Sequence, residues 1–183
     1  MVLPTSISEI NCFSILIISP FAFGIGSPCG SKLGKFKRLG ILISENEIAE
    51  IIFDFPPVNA FNSKTWNDIP KVINDLGLRS DVKVILIRSE GKGFCAGVDI
   101  KELANDSNAI VSVNEGNFLT GQAIHHCEIP VIVAAHKFII GGGVIMCGAA
   151  DIVIASDDAY FALPEIDRGA MGGASHLQRM LGV

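Results

Sequence analysis

Apolar and polar positions repeat at two periods along the chain, and the change from one to the other marks its elements. Residues 41–44, ILIS, and 48–55, IAEIIFDF, flank the polar Glu45, Asn46 and Glu47, which predicts a β-hairpin ended by Pro56 and Pro57. Over 62–76 the period becomes helical. Trp66, Ile69, Val72, Ile73 and Leu76 share one face, Asn62 or Ser63 can cap the start, and Gly77 stops the end. Pro70 lies inside this stretch and predicts a kink or a late start, because it removes a donor and crowds the preceding turn. Residues 82–88, VKVILIR, predict a buried strand, and 91–97 a glycine-rich loop. Asp99 with Glu102 three residues on has the form of a capping box. After a polar patch at 105–108, helical spacing returns over 113–127, and Pro130 ends it at or before Ile129. Val131 to Ala135 then predict a strand, followed by Gly141, Gly142 and Gly143 and an apolar segment, 144–149. A strand over 151–156 and the run Tyr160, Phe161, Ala162, Leu163 lead into Pro164 and Glu165. The last stretch, 166–183, carries Gly169, Gly172 and Gly173.

Strands alternating with helices predict an α/β domain with a largely parallel sheet. Ligands of such sheets bind beyond the carboxyl ends of the strands. Both glycine loops follow strands, so the expectation is a single site where they lie side by side. Three adjacent glycines cost more backbone entropy than a turn requires, which points either to tight helix-strand packing or to close approach of a ligand. With a helix opening at Val144, their amides would stand at its positive end, able to donate to a carbonyl oxygen that gains charge.

Composition narrows the classes. The 183 residues are 49% apolar, enough for one domain with a sizeable core. A net charge of -5, with no basic stripe beyond Lys32, Lys35, Lys37 and Arg38, argues against a nucleic-acid partner. Cys12, Cys29, Cys95, Cys127 and Cys147 are odd in number and lack C-x-x-C spacing, so a reducing compartment, the cytoplasm, is expected. The apolar residues 13–26 are too short to span a bilayer and no Lys or Arg precedes them, so neither a membrane span nor an export signal is expected. Residues 1–40, with Pro4, Pro20 and Pro28 and no sustained period, are expected to be poorly ordered or foreign to a domain occupying 41–183.

Several residues carry candidate chemistry. Gly91 to Ala96 satisfies G-x-G-x-x-A after a strand, a loose dinucleotide pattern, but it does not stand in the first βα turn and Asp99, not the loop, opens the next helix. His125, His126 and Cys127 are adjacent on a helix and point in different directions, so no metal site is expected. Cys95 is either a nucleophile beside a glycine loop or a small buried thiol, and His176 either serves a site or caps. Glu165 is either a proton-transferring carboxylate against an apolar pocket or a helix-start carboxylate facing Arg168.

In chain order, the segments Pro57-Val58-Asn59-Ala60, Gly93 to Glu102 (GFCAGVDIKE), Ile129 to Ala135 (IPVIVAA), the Gly141-Gly142-Gly143 loop and Phe161 to Ile166 (FALPEI) resemble the enoyl-CoA hydratase/isomerase, or crotonase, family. The resemblance covers about 41–183 and implies a spiral of ββα turns. It implies an acyl-CoA enzyme in which the amides of Ala96 and Gly142 form an oxyanion hole for a thioester enolate and Glu165 transfers the proton. Ala96, Gly97, Val98 and Asp99, with Val58, Ala60 and Gly142, would border the CoA groove. No metal or redox cofactor is implied, CoA arriving with the substrate, and the family assembles as trimers or paired trimers.

Hydratases of the family use two glutamates. Glu165 matches one; the other falls on Ile145, which cannot move a proton. The resemblance therefore points to isomerisation or carbon-carbon bond cleavage more than to simple hydration. Residues 155–159, 163–170 and 174–177 are most similar to ring-opening hydrolases of cyclic keto acyl-CoA thioesters in steroid degradation, with Ser175 and His176 in place of glycines. Family members continue for several helices past the last residue here, which leaves open a C-terminally truncated, non-catalytic fragment.

Overall fold

The structure, a computed structural model, describes residues 14–18, 39–168 and 172–182, with the backbone alone at 14–18, 166 and 168. Its main sheet runs in the order β1 (Ser14–Ile18), β9 (Ile152–Ser156), β7 (Val131–Ala135), β5 (Val84–Ser89), β3 (Ile48–Phe53) and β2 (Leu39–Ile43). Every neighbouring pair is parallel except the hairpin of β2 and β3, which pairs Leu39 with Phe53 and Ile43 with Ala49. Two short parallel pairs stand apart: β4 (Ala60–Phe61) with β6 (Gly97–Val98), and β8 (Phe138–Ile140) with β10 (Tyr160–Ala162). The helices are α1 (Ser63–Gly77), α2 (Ile100–Asn105), α3 (Ala109–His125), α4 (Gly142–Ala149) and α5 (Ala174–Leu181), with a 3-10 helix at Pro164–Arg168.

The order repeats. Each of β3, β5, β7 and β9 gives a long strand to the main sheet, the next short strand joins a small pair, and one or more helices follow. The α/β spiral of ββα turns is thus the observed architecture.

Burial along the strands alternates, so one face of the sheet makes the core: Ala49, Ile51 and Phe53, Ile85 and Ile87, Val131 and Val133, and Val153. Trp66, Ile69, Ile73 and Leu76 of α1 belong to the same cluster. An aromatic run links the layers, with Phe53 to Phe61 centroids 4.8 Å apart and Phe61 to Trp66 5.2 Å. The other face is half-buried and holds the ion pair of Glu50 with Arg88 at 2.7 Å, so β5 is one-sided and not the fully buried strand expected.

Three local expectations change. First, α1 begins on time at Ser63 despite Pro70, with the Asn62 side chain accepting from the Thr65 amide. Pro70 cannot donate to the carbonyl of Trp66 one turn back; the Thr120 hydroxyl of α3 donates to it instead, at 3.4 Å. Second, Asp99 caps α2 through the Lys101 amide, but Glu102 does not complete the box and reaches α1. Third, the run after Val131 is two strands, broken at Lys137, whose φ is 54°. Within the segment expected to be foreign to the domain, Ser14–Ile18 form β1 and pair with β9, and Leu39 and Gly40 belong to β2. The rest of that segment lies outside the described residues.

Candidate active site

The pairing of β8 with β10 brings the glycine corner against the carboxylate. Ile140 pairs with Ala162, the next amide, of Gly141, donates to the Ala162 carbonyl at 3.0 Å, and three residues past Ala162 stands Glu165. Gly141 takes φ 57° and ψ -115°, a conformation that side-chain-bearing residues avoid. A Cβ there would lie 2.4 Å from Glu165 Oε1, so the carboxylate fills the space that the missing side chain leaves. Its other oxygen, Oε2, is buried without a hydrogen-bond partner among the described residues.

Gly142 opens α4, and a first-turn amide has no acceptor inside its own helix. A Cβ on Gly142 would stand 2.3 Å from both Asn117 Oδ1 and Trp66 Cη2. These two buried side chains, from α3 and α1, hold the corner from behind, and each has a polar atom without a partner among the described residues, Oδ1 and Nε1 respectively. Neither was singled out as a site residue in the sequence, because nothing local marks two helix residues as neighbours of a loop.

The second glycine loop does lie beside the first. Cys95 bridges to Ile139, the Ile140 amide donates to the Cys95 carbonyl at 2.8 Å, and Gly97 packs against the Ile140 carbonyl and Gly141. Asn59 anchors this loop. It is 2% exposed, its Oδ1 accepts from the Phe55 amide at 2.7 Å, and its Nδ2 donates to the carbonyls of Glu90 and Gly93, each at 2.8 Å. In the sequence Asn59 is one residue of the Pro57-to-Ala60 motif with no mark of this role; its φ of 52°, between Pro57 and the short strand, makes it a turn residue.

Ala96, expected to supply the second donor, stands in this loop. Its amide donates to the Asn59 carbonyl at 3.1 Å and is committed to holding the loop. The Asp99 amide is committed likewise, to the Phe61 carbonyl at 2.8 Å. Ala60 stands opposite Gly97 in the β4–β6 register, with Val58 half-buried two residues before, so the residues expected to border the groove are neighbours.

Cys95 is not a nucleophile. It is fully buried, its Sγ accepts from the Gly97 amide at 3.3 Å, and burial pushes its thiol up to about 12. His125 and His126 are exposed, and among the described residues no three His, Cys, Asp or Glu side chains gather as metal ligands. The Arg168 side chain, the other candidate partner of Glu165, lies outside the described residues. His176 is half-buried against α4 and α3, and burial, then Arg179 and His125, hold its imidazole below the usual histidine range. Among the described residues no helix is long and apolar enough to cross a membrane.

Residues 44–182 match the enoyl-CoA hydratase/isomerase family. The chain belongs to that family. It is 46% identical over 136 residues to a (7aS)-7a-methyl-1,5-dioxo-2,3,5,6,7,7a-hexahydro-1H-indene-carboxyl-CoA hydrolase of Rhodococcus jostii, covering 73% of this chain and 53% of the relative. It is 42% identical over 139 residues to the protein of the same name in Mycobacterium tuberculosis, covering 75% and 56%. Among solved structures, enoyl-CoA hydratase subunit I of Geobacillus kaustophilus superposes with a TM-score of 0.67 at 26% identity, over 80% of this chain and 57% of that one. The chain therefore spans about half the length of the curated relatives it matches.

Proposed function

We propose that the protein acts on an acyl-CoA thioester by way of an enolate, with Glu165 as the single carboxylate that moves the carbon-bound proton. The observation that carries this reading is the packing of Glu165 Oε1 into the space beside Gly141, next to the opening amide of α4. In this reading the thioester oxygen lies between the amides of Gly142 and Ala96, the second shared with the Asn59 carbonyl. Each preorganised donor aimed at developing charge is worth about 3 to 4 kcal/mol in such sites. Residues 96–99, with Val58 and Ala60, border the CoA moiety, no cofactor beyond the CoA of the substrate takes part, and three or six copies assemble.

The second reading specifies the reaction as hydrolytic ring opening of a cyclic keto acyl-CoA. Its support is the likeness to two relatives named as hydrolases of an indene-carboxyl-CoA, together with Ile145 one turn beyond Gly142, where no second carboxylate is available. Mass spectrometry of a panel in deuterated water tests both: a straight 2-enoyl-CoA, a 3-enoyl-CoA and a cyclic 3-keto thioester. Deuterium uptake or double-bond migration, lost in Glu165→Gln, is the expected result for enolate chemistry. Gain of water on the cyclic ketone alone supports ring opening. Gain of water on the 2-enoyl substrate overturns the single-carboxylate reading, and no reaction by folded protein supports a non-catalytic member of the family.

A further inference from the structure

The helices leave one face of the main sheet bare. Trp66 of α1, Val113 of α3, Met146 of α4 and Met180 of α5 belong to the core cluster, and Leu103 of α2 packs against it, so all five gather on the side of Ile51 and Ile87. On the opposite side Leu86, Ile132 and Ile152 stand in one row across β5, β7 and β9, with Ile48, Ile52 and Ile154 beside them. Ile152 is 40% exposed and the other five are half-buried. A parallel sheet is almost always covered on both faces. An apolar face of this extent calls for a cover, and among the described residues no helix supplies one.

The chain between β1 and β2 has to cross the sheet. β1 is at one edge and β2 at the other, with four strands between them. Ile18 ends β1 beside Ser156, the last residue of β9, and Leu39 opens β2 beside Phe53, the last residue of β3. Both ends of the connection therefore stand at the carboxyl end of the parallel strands, five strand spacings or about 24 Å apart. Residues 19–38 lie outside the described residues, but a segment of that length reaches about 66 Å when extended, so the crossing has slack. Two routes are closed to it. The helix face is filled by the core, and past the strand ends lie the loops that carry Asn59, Cys95 and Lys137 toward the site. The bare face is the third route.

We propose that residues 19–38 lie across the bare face and are its cover. Leaving β1, the segment begins with Phe21, Phe23 and Ile25, which settle on the β9 and β7 side at Ile152, Ile154 and Ile132. It ends with Lys35, Lys37 and Arg38 beside β3. There Glu50 and Glu90 both accept from Arg88, at 2.7 and 2.5 Å, so two carboxylates share one guanidinium and a negative charge is left for those cations. The apolar residues of the segment thus meet the apolar half of the face and its basic residues the acidic half. In this arrangement the segment is part of the domain and not foreign to it.

Photo-crosslinking of the full chain tests this, with Ile152→benzoylphenylalanine and, separately, Leu86→benzoylphenylalanine, followed by digestion and mass spectrometry of the joined peptides. Thermal melting verifies folding, and if one variant fails to fold the other decides. The expected result is a crosslink from the probe to a peptide within 19–38 of the same chain, in a yield independent of protein concentration. Combining Phe21→Ser, Phe23→Ser and Ile25→Ser is expected to abolish that crosslink and to lower the melting temperature by about 5 °C or more. Crosslinks between two chains, rising with concentration, overturn the proposal in favour of a second copy on this face. A probe that joins nothing, or joins only the strands beside it, shows the face open to water and overturns the proposal as well.

Discussion

The carboxylate of Glu102 receives both the amide and the hydroxyl of Ser63, each at 2.7 Å, so a residue in the first turn of α2 caps the first turn of α1. The positive end of α1 is thereby neutralised by another helix, and the strand pair β4–β6 that leads into these two helices is locked from both sides. Replacing Glu102 by Ala removes the acceptor of an otherwise orphaned amide and is expected to cost about 1 to 2 kcal/mol. Urea denaturation measures it, and Glu102→Gln, which keeps one acceptor oxygen, is expected to recover part of the loss.

Asn59 is expected to matter more. Its side chain makes three hydrogen bonds to backbone groups on both sides of the loop that ends in Ala96, and it is buried. Asn59→Ala leaves those groups unpaired at about 1 to 3 kcal/mol for each buried one. Asn59→Asp keeps the bond from the Phe55 amide but faces the carbonyls of Glu90 and Gly93 with acceptors, so it is expected to be no milder. A midpoint in urea unchanged for both variants would refute the staple.

What the sequence made visible is what short-range chemistry decides. The Asn62 cap, the 45–47 turn and the strand at Val131 depend on neighbours within a few residues, and each stands where the pattern placed it. The failures share one cause. Pro70 was expected to disturb α1, but the carbonyl it frees is satisfied by Thr120, fifty-four positions away. Glu102 was assigned to its own helix, but its partner lies across the fold at Ser63. In the site, the carboxylate and the glycines are legible as residue types, while the bond of the Ala96 amide to the Asn59 carbonyl is not. Asn117 and Trp66 gave no signal, because only the packed helices bring them to Gly142.

Cys95 offers a pH test. Burial raises its thiol from an ordinary value of 9.0 to about 12, and that of Cys147 also rises. The unfolded chain releases these protons first, so their contribution to stability is complete below pH 9 and is lost as the pH rises from 9 toward 12. Each thiol is expected to add a slope of about 1.4 kcal/mol per pH unit in that window. Cys95→Ala, compared with the parent from pH 8 to 10.5, is expected to be less alkali-sensitive, and iodoacetamide at pH 8 is expected to leave Cys95 unlabelled in the folded protein.

The link between Gly141 and Glu165 is the one on which the functional reading depends most. Gly141→Ala places a Cβ where Oε1 now lies and forces an alanine into φ 57°, ψ -115°. The backbone strain is expected to cost about 1 to 3 kcal/mol, readable as a lower melting temperature, and the carboxylate must move. Proton exchange into a bound acyl-CoA should then fall in Gly141→Ala by nearly as much as in Glu165→Gln. The double variant should be no worse than Glu165→Gln alone, since both changes remove one function. Additive losses would mean that the glycine serves the oxyanion donor and not the carboxylate, and exchange at the parent rate in folded Gly141→Ala would mean that the corner does not hold Glu165 at all.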